Sequence, residues 1–137
     1  VLRIKGRHHS LLLTGDIDQT AEKAIVENQQ LQQSNALQTD VVVVPHHGAA
    51  TSSGLAFIQA LQAKHAIAQM GYLNRFSHPA KEVVDRWQAY PTKFWCTDTD
   101  GALHVRSKQG KLTVESLRLT QQRYWHHKGS SHSSGQP

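Results

Sequence analysis

Short apolar runs alternate along this chain with longer stretches in which apolar residues recur at helical spacing. Val1-Leu2-Arg3-Ile4-Lys5 and the 10–14 run, with Leu11-Leu12-Leu13-Thr14, read as two strands joined by a turn around Gly6-Arg7-His8-His9. Ile17, Ala21, Ala24 and Ile25 then mark one apolar face of a helix reaching about Gln30. Gln29–Gln38, rich in Gln, Ser and Asn, predicts the end of that helix and a loop. In Asp40-Val41-Val42-Val43-Val44, the β-branched run fits a strand buried on both faces. A second helix is predicted over 54–63, burying Leu55, Ile58 and Leu61, followed by a strand over His65–Met70 and a loop over Gly71–His78. Pro79 suits the first turn of a third helix, whose Ala80, Val83, Val84 and Trp87 keep the i, i+3, i+4, i+7 pattern. Strand 93–97 runs into the turn Asp98-Thr99-Asp100-Gly101. Strands near 102–106 and 111–117, linked by Lys108-Gln109-Gly110, form a hairpin. The order ββαβαβαβββ predicts an α/β layer fold: a mixed sheet with flanking helices.

With 137 residues the chain is long enough for one domain with a real core. Its net charge of +5 is unevenly placed. Acids and bases nearly balance up to Leu117, whereas Arg118, Arg123 and Lys128 follow with no acid among them. The chain therefore divides into a folded 1–117 and a basic tail over 118–137, expected to be disordered, in which Ser130–Pro137 is the most polar part. Such a tail is either a solvated end or a contact for phosphate or an anionic surface. The single cysteine, Cys96, excludes an internal disulfide and a Cys-based zinc cluster, and its apolar setting reads as core. No run approaches the roughly 20 apolar residues needed to cross a bilayer, and no signal peptide is visible. A start without Met, directly in a strand, reads as a soluble piece of something longer.

The chemistry-bearing residues follow apolar strands, and in open α/β sheets the carboxyl ends of the strands are where ligands bind. Thr14-Gly15 delivers Asp16, which reads either as a helix cap or as a carboxylate bridging two divalent cations, with Gly15 permitting close approach of the backbone. Val44-Pro45 delivers His46 and His47. If the chain is extended there, the two rings point opposite ways, one toward a cation and the other toward phosphate. The loop Gly71-Tyr72-Leu73-Asn74-Arg75-Phe76-Ser77-His78-Pro79 adds His78, as a helix cap or at a site rim, with Asn74 and Arg75 as phosphate contacts. His8, His9, His65, His104, His126, His127 and His132 lie in a turn, in strands or in the tail. Asp98 and Asp100 read as turn formers.

Taken in order, Leu12-Leu13-Thr14-Gly15-Asp16, Val44-Pro45-His46-His47-Gly48 with Thr51-Ser52-Ser53, the Asn74–Pro79 loop and Thr97-Asp98-Thr99-Asp100-Gly101-Ala102 resemble a known pattern. It is that of the C-terminal part of the metallo-β-lactamase-fold domain in the ComEC family of DNA-internalization competence proteins. The resemblance spans about residues 1–125, including Arg123-Tyr124-Trp125. It implies an αββα sandwich with the site at the strand ends. Asp16 would be the bridging aspartate and His46 the last metal-ligand histidine. His47 would be a catalytic, phosphate-facing group, or the two histidines would exchange roles. His78 would contact the substrate or protonate a leaving group. The superfamily's His-x-His-x-Asp-His motif, which supplies the first ligands, is absent from these 137 residues.

The resemblance implies a parent domain that hydrolyses phosphodiester bonds of DNA with two divalent cations, zinc or manganese, and no small organic cofactor. The parent would be a membrane channel protein of the inner (plasma) membrane that imports DNA, and its remainder would be the second partner. The fragment alone is expected to be inactive. Two alternatives stay open: a non-catalytic module that binds DNA or packs against the channel, and a hydrolase of the same superfamily acting on a small phosphodiester or a lactone.

Overall fold

The computed structural model describes residues 1–31 and 37–121. The expected loop over 32–36 and all of the tail beyond Gln121 lie outside the described residues. The elements are β1 (Leu2–Lys5), β2 (Ser10–Leu13), α1 (Gln19–Leu31), β3 (Val41–Val43), a tight turn (Pro45–Gly48), α2 (Leu55–Leu61), β4 (His65–Ala68), α3 (Lys81–Gln88), β5 (Lys93–Cys96), α4 (Thr97–Asp100), β6 (Leu103–Lys108), β7 (Lys111–Ser116) and α5 (Leu117–Thr120).

Five strands form one mixed sheet in the order β1-β2-β3-β4-β5; β1 pairs antiparallel with β2, and the remaining pairs are parallel. Each strand–helix–strand step advances one position in the same direction. Crossovers of a single hand then place all three helices on one face. The register fits this, since Leu12, Val42, Ala66 and Phe94 are successive partners across the sheet. They meet Val26 of α1, Phe57, Ile58 and Leu61 of α2, and Val83 and Trp87 of α3 in one core. The opposite face carries Leu11, Val41, Ile67 and Trp95, which the β6–β7 hairpin covers through Leu103, Leu112 and Val114. The α/β class and the mixed sheet with flanking helices are as expected. β3 is an interior strand, and its all-Val sequence serves both cores.

Two helix faces differ from the sequence reading. In α1, Glu22 and Val26 are buried and Ala24 is exposed, because Ala24 lies on the opposite side of the helix from Val26. In α2 the buried arc is Phe57, Ile58 and Leu61, while Leu55 at the helix start is 54% exposed. α3 begins at Lys81 with Ala80 as its cap, so Pro79 precedes the helix rather than opening it, and His78 does not cap it. Arg118, read as tail, belongs to the fold: its guanidinium donates to the Asp98 and Thr99 carbonyls at 2.6 and 2.9 Å.

Candidate functional site

The carboxyl ends of β2, β3 and β4 converge on one edge of the sheet, and short polar bonds bind them together. The Thr14 hydroxyl donates to the Val43 carbonyl at 2.7 Å, joining the ends of β2 and β3. Gly15 follows with φ +63, where a Cβ would touch nothing within 4 Å. Glycine therefore serves the left-handed backbone there, not the close approach expected from the sequence. Its carbonyl accepts the His46 N–H at 3.0 Å.

His46 and His47 are not extended. Both are left-handed, at φ 49 and φ 55, a conformation that costs roughly 1–2 kcal/mol for each side-chain-bearing residue. The turn is held by the His46 N–H on Gly15, the Ala49 N–H on His46, and the Ser52 hydroxyl on the Pro45 carbonyl at 2.9 Å. Strain of this kind, over-determined by its surroundings, characterises functional sites. The two rings nevertheless diverge. His47 turns toward Asp16, and its Nε2 lies 3.7 Å from Asp16 Oδ1. His46 turns toward His78, with ring centroids 6.3 Å apart and the rings edge-on.

His47 Nδ1 lies 2.7 Å from the Gln69 carbonyl at the end of β4. A carbonyl can only accept, so Nδ1 carries the hydrogen; in the neutral imidazole the Nε2 lone pair then faces Asp16. Histidines that bind metals are typically oriented in this way. Asp16 is available for such a role because Asp18 does the capping: Asp18 Oδ1 accepts the Ala21 N–H at 3.0 Å. Two ligands about 2.1 Å from a tetrahedral cation stand about 3.4 Å apart, so the Asp16–His47 spacing suits shared coordination. The donor set, a carboxylate and a neutral imidazole, suits zinc or manganese. Among the described residues there is no group of three or more His, Cys, Asp or Glu that could hold a metal ion. Both the Asp16 and His47 side chains are more than half exposed.

The Asn74–Pro79 loop is placed by Gly48 and Asn74. Ala80 donates its N–H to the Gly48 carbonyl at 2.8 Å, and a Cβ on Gly48 would stand 2.7 Å from Pro79 Cβ. Asn74, expected to contact phosphate, is engaged within the loop: its amide donates to the His78 carbonyl at 2.7 Å and accepts the His78 N–H at 2.9 Å. Arg75 remains exposed, with its guanidinium 4.9 Å from the centre of the Phe76 ring. Phe76 stacks on His78 at 5.9 Å and an interplanar angle of 20°. His46 Nδ1 is buried without a hydrogen-bond partner.

Two residues that the sequence reading passed over hold the loop behind the histidines. Glu22, 1% exposed, accepts the Ser53 and Gly54 N–H groups at 2.6 and 2.7 Å, and burial pushes its carboxyl above the ordinary value despite those bonds and the nearby Arg86. Arg86 donates to the Ser52 and Ser53 carbonyls at 3.1 and 2.8 Å. The available signal was a charge set among apolar positions: Glu22 beside Ile25 and Val26, and Arg86 between Val83 and Trp87. Asp98 and Asp100 shape their turn as expected, Asp100 accepting the Cys96 N–H and Asp98 the Thr99 N–H. His65 lies at the amino end of β4, accepting from the Trp95 indole, and burial and then Lys93 and Lys64 hold its imidazole below the ordinary range. Burial pushes the Cys96 thiol up to about 12, consistent with a core cysteine.

Fold and site together define an α/β protein whose strand-end loops gather one carboxylate and three imidazoles. The chain is 34% identical to competence protein ComA of Neisseria gonorrhoeae over 128 residues, which is 93% of this chain and 18% of that protein. It is 34% identical over 99 residues to ComE operon protein 3 of Bacillus subtilis, covering 72% of this chain and 12% of that protein. It is also 31% identical over 127 residues to the uncharacterized protein YcaI of Escherichia coli, covering 93% and 16%. The chain therefore spans less than a fifth of each of these relatives. The similarities support a competence-protein family for this chain. No family model and no solved structure matches.

Proposed function

We propose that this chain is the closing part of a metal-dependent phosphodiesterase domain that cleaves DNA within a competence protein engaged in DNA uptake. The observation that carries the reading is the Asp16–His47–Gln69 arrangement: a carboxylate oxygen and an imidazole nitrogen 3.7 Å apart, with the other imidazole nitrogen fixed by a backbone carbonyl. The relatives named for competence support DNA as the substrate and a membrane-associated parent, whose remainder is the other partner. No helix among the described residues is long and apolar enough to cross a membrane.

Asp16 and His47 would hold the cation, and the remaining ligands would come from a His-x-His-x-Asp-His segment of the parent. A bound divalent cation supplies Lewis-acid stabilisation of phosphate charge and an activated water. This assignment exchanges the roles first expected of the two histidines. His46 and His78, on the other side of the turn, would hydrogen-bond the phosphate and hand a proton to the leaving oxygen. Arg75 would offset the phosphate charge.

The test is the complete domain, this chain joined to its parent's preceding segment, incubated with DNA and Mn²⁺ or Zn²⁺. Cleavage is expected, with Asp16→Ala and His47→Ala each lowering it at least a hundredfold and weakening metal binding in a titration. Intact DNA from a metal-loaded domain overturns the reading. Cleavage of a chromogenic small phosphodiester, with DNA left intact, would replace it by the small-substrate reading.

A further inference from the structure

We propose that Phe76 is a stacking platform for an unpaired nucleobase, set beside the site so that a phosphate of the same strand reaches Asp16 and His47. This rests on the DNA-cleaving reading and specifies the form of its substrate as single-stranded. Trp87 and Phe57, on the core-facing sides of their helices, are buried at 0% and 1% exposure. Phe76 is 64% exposed and Leu73, in the same loop, 82%. Both stand in water in a loop that follows β4 beside the histidine turn.

The ring is held in a defined orientation. It lies nearly parallel to His78, which is fixed through both backbone polar groups by Asn74, and His78 in turn lies 6.3 Å from His46. A ladder of rings thus leads from the exposed Phe76 to the histidine turn in two steps of about 6 Å. Arg75 adds a cation over the Phe76 ring at 4.9 Å. Exposed aromatic faces with an adjacent guanidinium are the means by which proteins bind single strands without reading sequence: base on ring, phosphate on cation. A loop that enters a bilayer presents apolar tips away from polar groups. Here the ring lies against an imidazole and a guanidinium, which suits a flat heterocycle. A paired base cannot offer its face, so the platform selects unpaired DNA.

The test uses the 137-residue chain in EDTA, titrated with a fluorescent single-stranded oligonucleotide, the same oligonucleotide carrying abasic sites, a duplex, and anionic phosphatidylglycerol vesicles. Phe76→Ala is expected to weaken single-strand binding roughly tenfold, Phe76→Trp to restore it, and abasic sites to reproduce the loss in the unsubstituted chain. Circular dichroism of each variant should match the unsubstituted chain, as the position is exposed. The proposal is overturned by single-strand binding that ignores Phe76→Ala or the abasic sites. It is equally overturned by no binding, by duplex bound as tightly as single strand, or by a Phe76→Ala loss confined to the vesicles. EDTA keeps binding separate from cleavage: Phe76-dependent single-strand binding here, together with DNA left intact by the metal-loaded complete domain, would sink the nuclease reading and leave the platform standing.

Discussion

The loops that leave β3 and β4 lie side by side and are built in opposite ways. The Pro45–Gly54 segment is gripped from several places: Gly15 just after β2, Glu22 and Gln19 of α1, and Arg86 of α3. The 71–78 segment is stapled mainly by its own Asn74, and it leaves Leu73, Arg75 and Phe76 to solvent. The first arrangement fixes two left-handed histidines in place, as the proposed metal ligation and proton transfer would require. The second presents a shaped surface whose side chains can change without disturbing the core. Precision at this site comes from buried backbone bonding, and contact with the proposed substrate would come from an exposed loop docked beside it.

The largest effect expected from this contrast is at Glu22. Glu22→Ala leaves the Ser53 and Gly54 N–H groups without their acceptor, and should cost about 3 kcal/mol in denaturant unfolding. Its ionisation gives a further check. Burial raises the folded carboxyl above its ordinary 4.5, so the folded state holds the proton more tightly than the unfolded chain. That contribution is fully present below 4.5 and is lost as pH rises through the folded value, so stability falls across that window. Glu22→Gln, which cannot titrate, should flatten this part of the pH profile. An unchanged profile would show that the grip does not depend on this carboxyl.

Next in size are the two glycines. Gly48→Ala combines the left-handed penalty with an overlap against Pro79 at 2.7 Å, and should cost roughly 2–4 kcal/mol while moving the ring resonances of His46 and His78. Gly15→Ala meets nothing within 4 Å and should cost only the conformational penalty of roughly 1–2 kcal/mol. Equal losses at the two positions would mean that the contact with Pro79 does not place the neighbouring loop. The smallest effect on stability is at Asn74. Asn74→Ala should change global stability by under about 1 kcal/mol. Hydrogen exchange of the His78 amide should nevertheless accelerate, since that N–H loses its acceptor. A protected His78 amide in that variant would place the staple elsewhere.

Much of the framework was legible along the chain, because strand and helix periodicities are local. The all-Val strand, the alternation of strands and helices, and the placing of Asp16, His46, His47 and His78 after strands all follow from residues near in sequence. The helix faces were less legible. Ala24 and Leu55 fit an apolar spacing but point away from the core, while Glu22 was passed over because a charge counts against burial until its partners are known. Those partners are backbone N–H groups of Ser53 and Gly54, invisible in any list of side chains. On spacing alone Asp16 reads either as a helix cap or as a bridging carboxylate, and only the bond from the Ala21 N–H to Asp18 shows which residue caps the helix.

The sequence by itself determined that a carboxylate and imidazoles would emerge at the ends of apolar strands in an α/β layer. That much is fixed by short-range pattern and by the direction in which parallel strands run. Only the tertiary structure decided which histidine faces Asp16. The answer depends on two consecutive left-handed residues and on a carbonyl 22 positions away at the end of the neighbouring strand. Such a bond exists only once β3 and β4 have paired, and no local spacing encodes it.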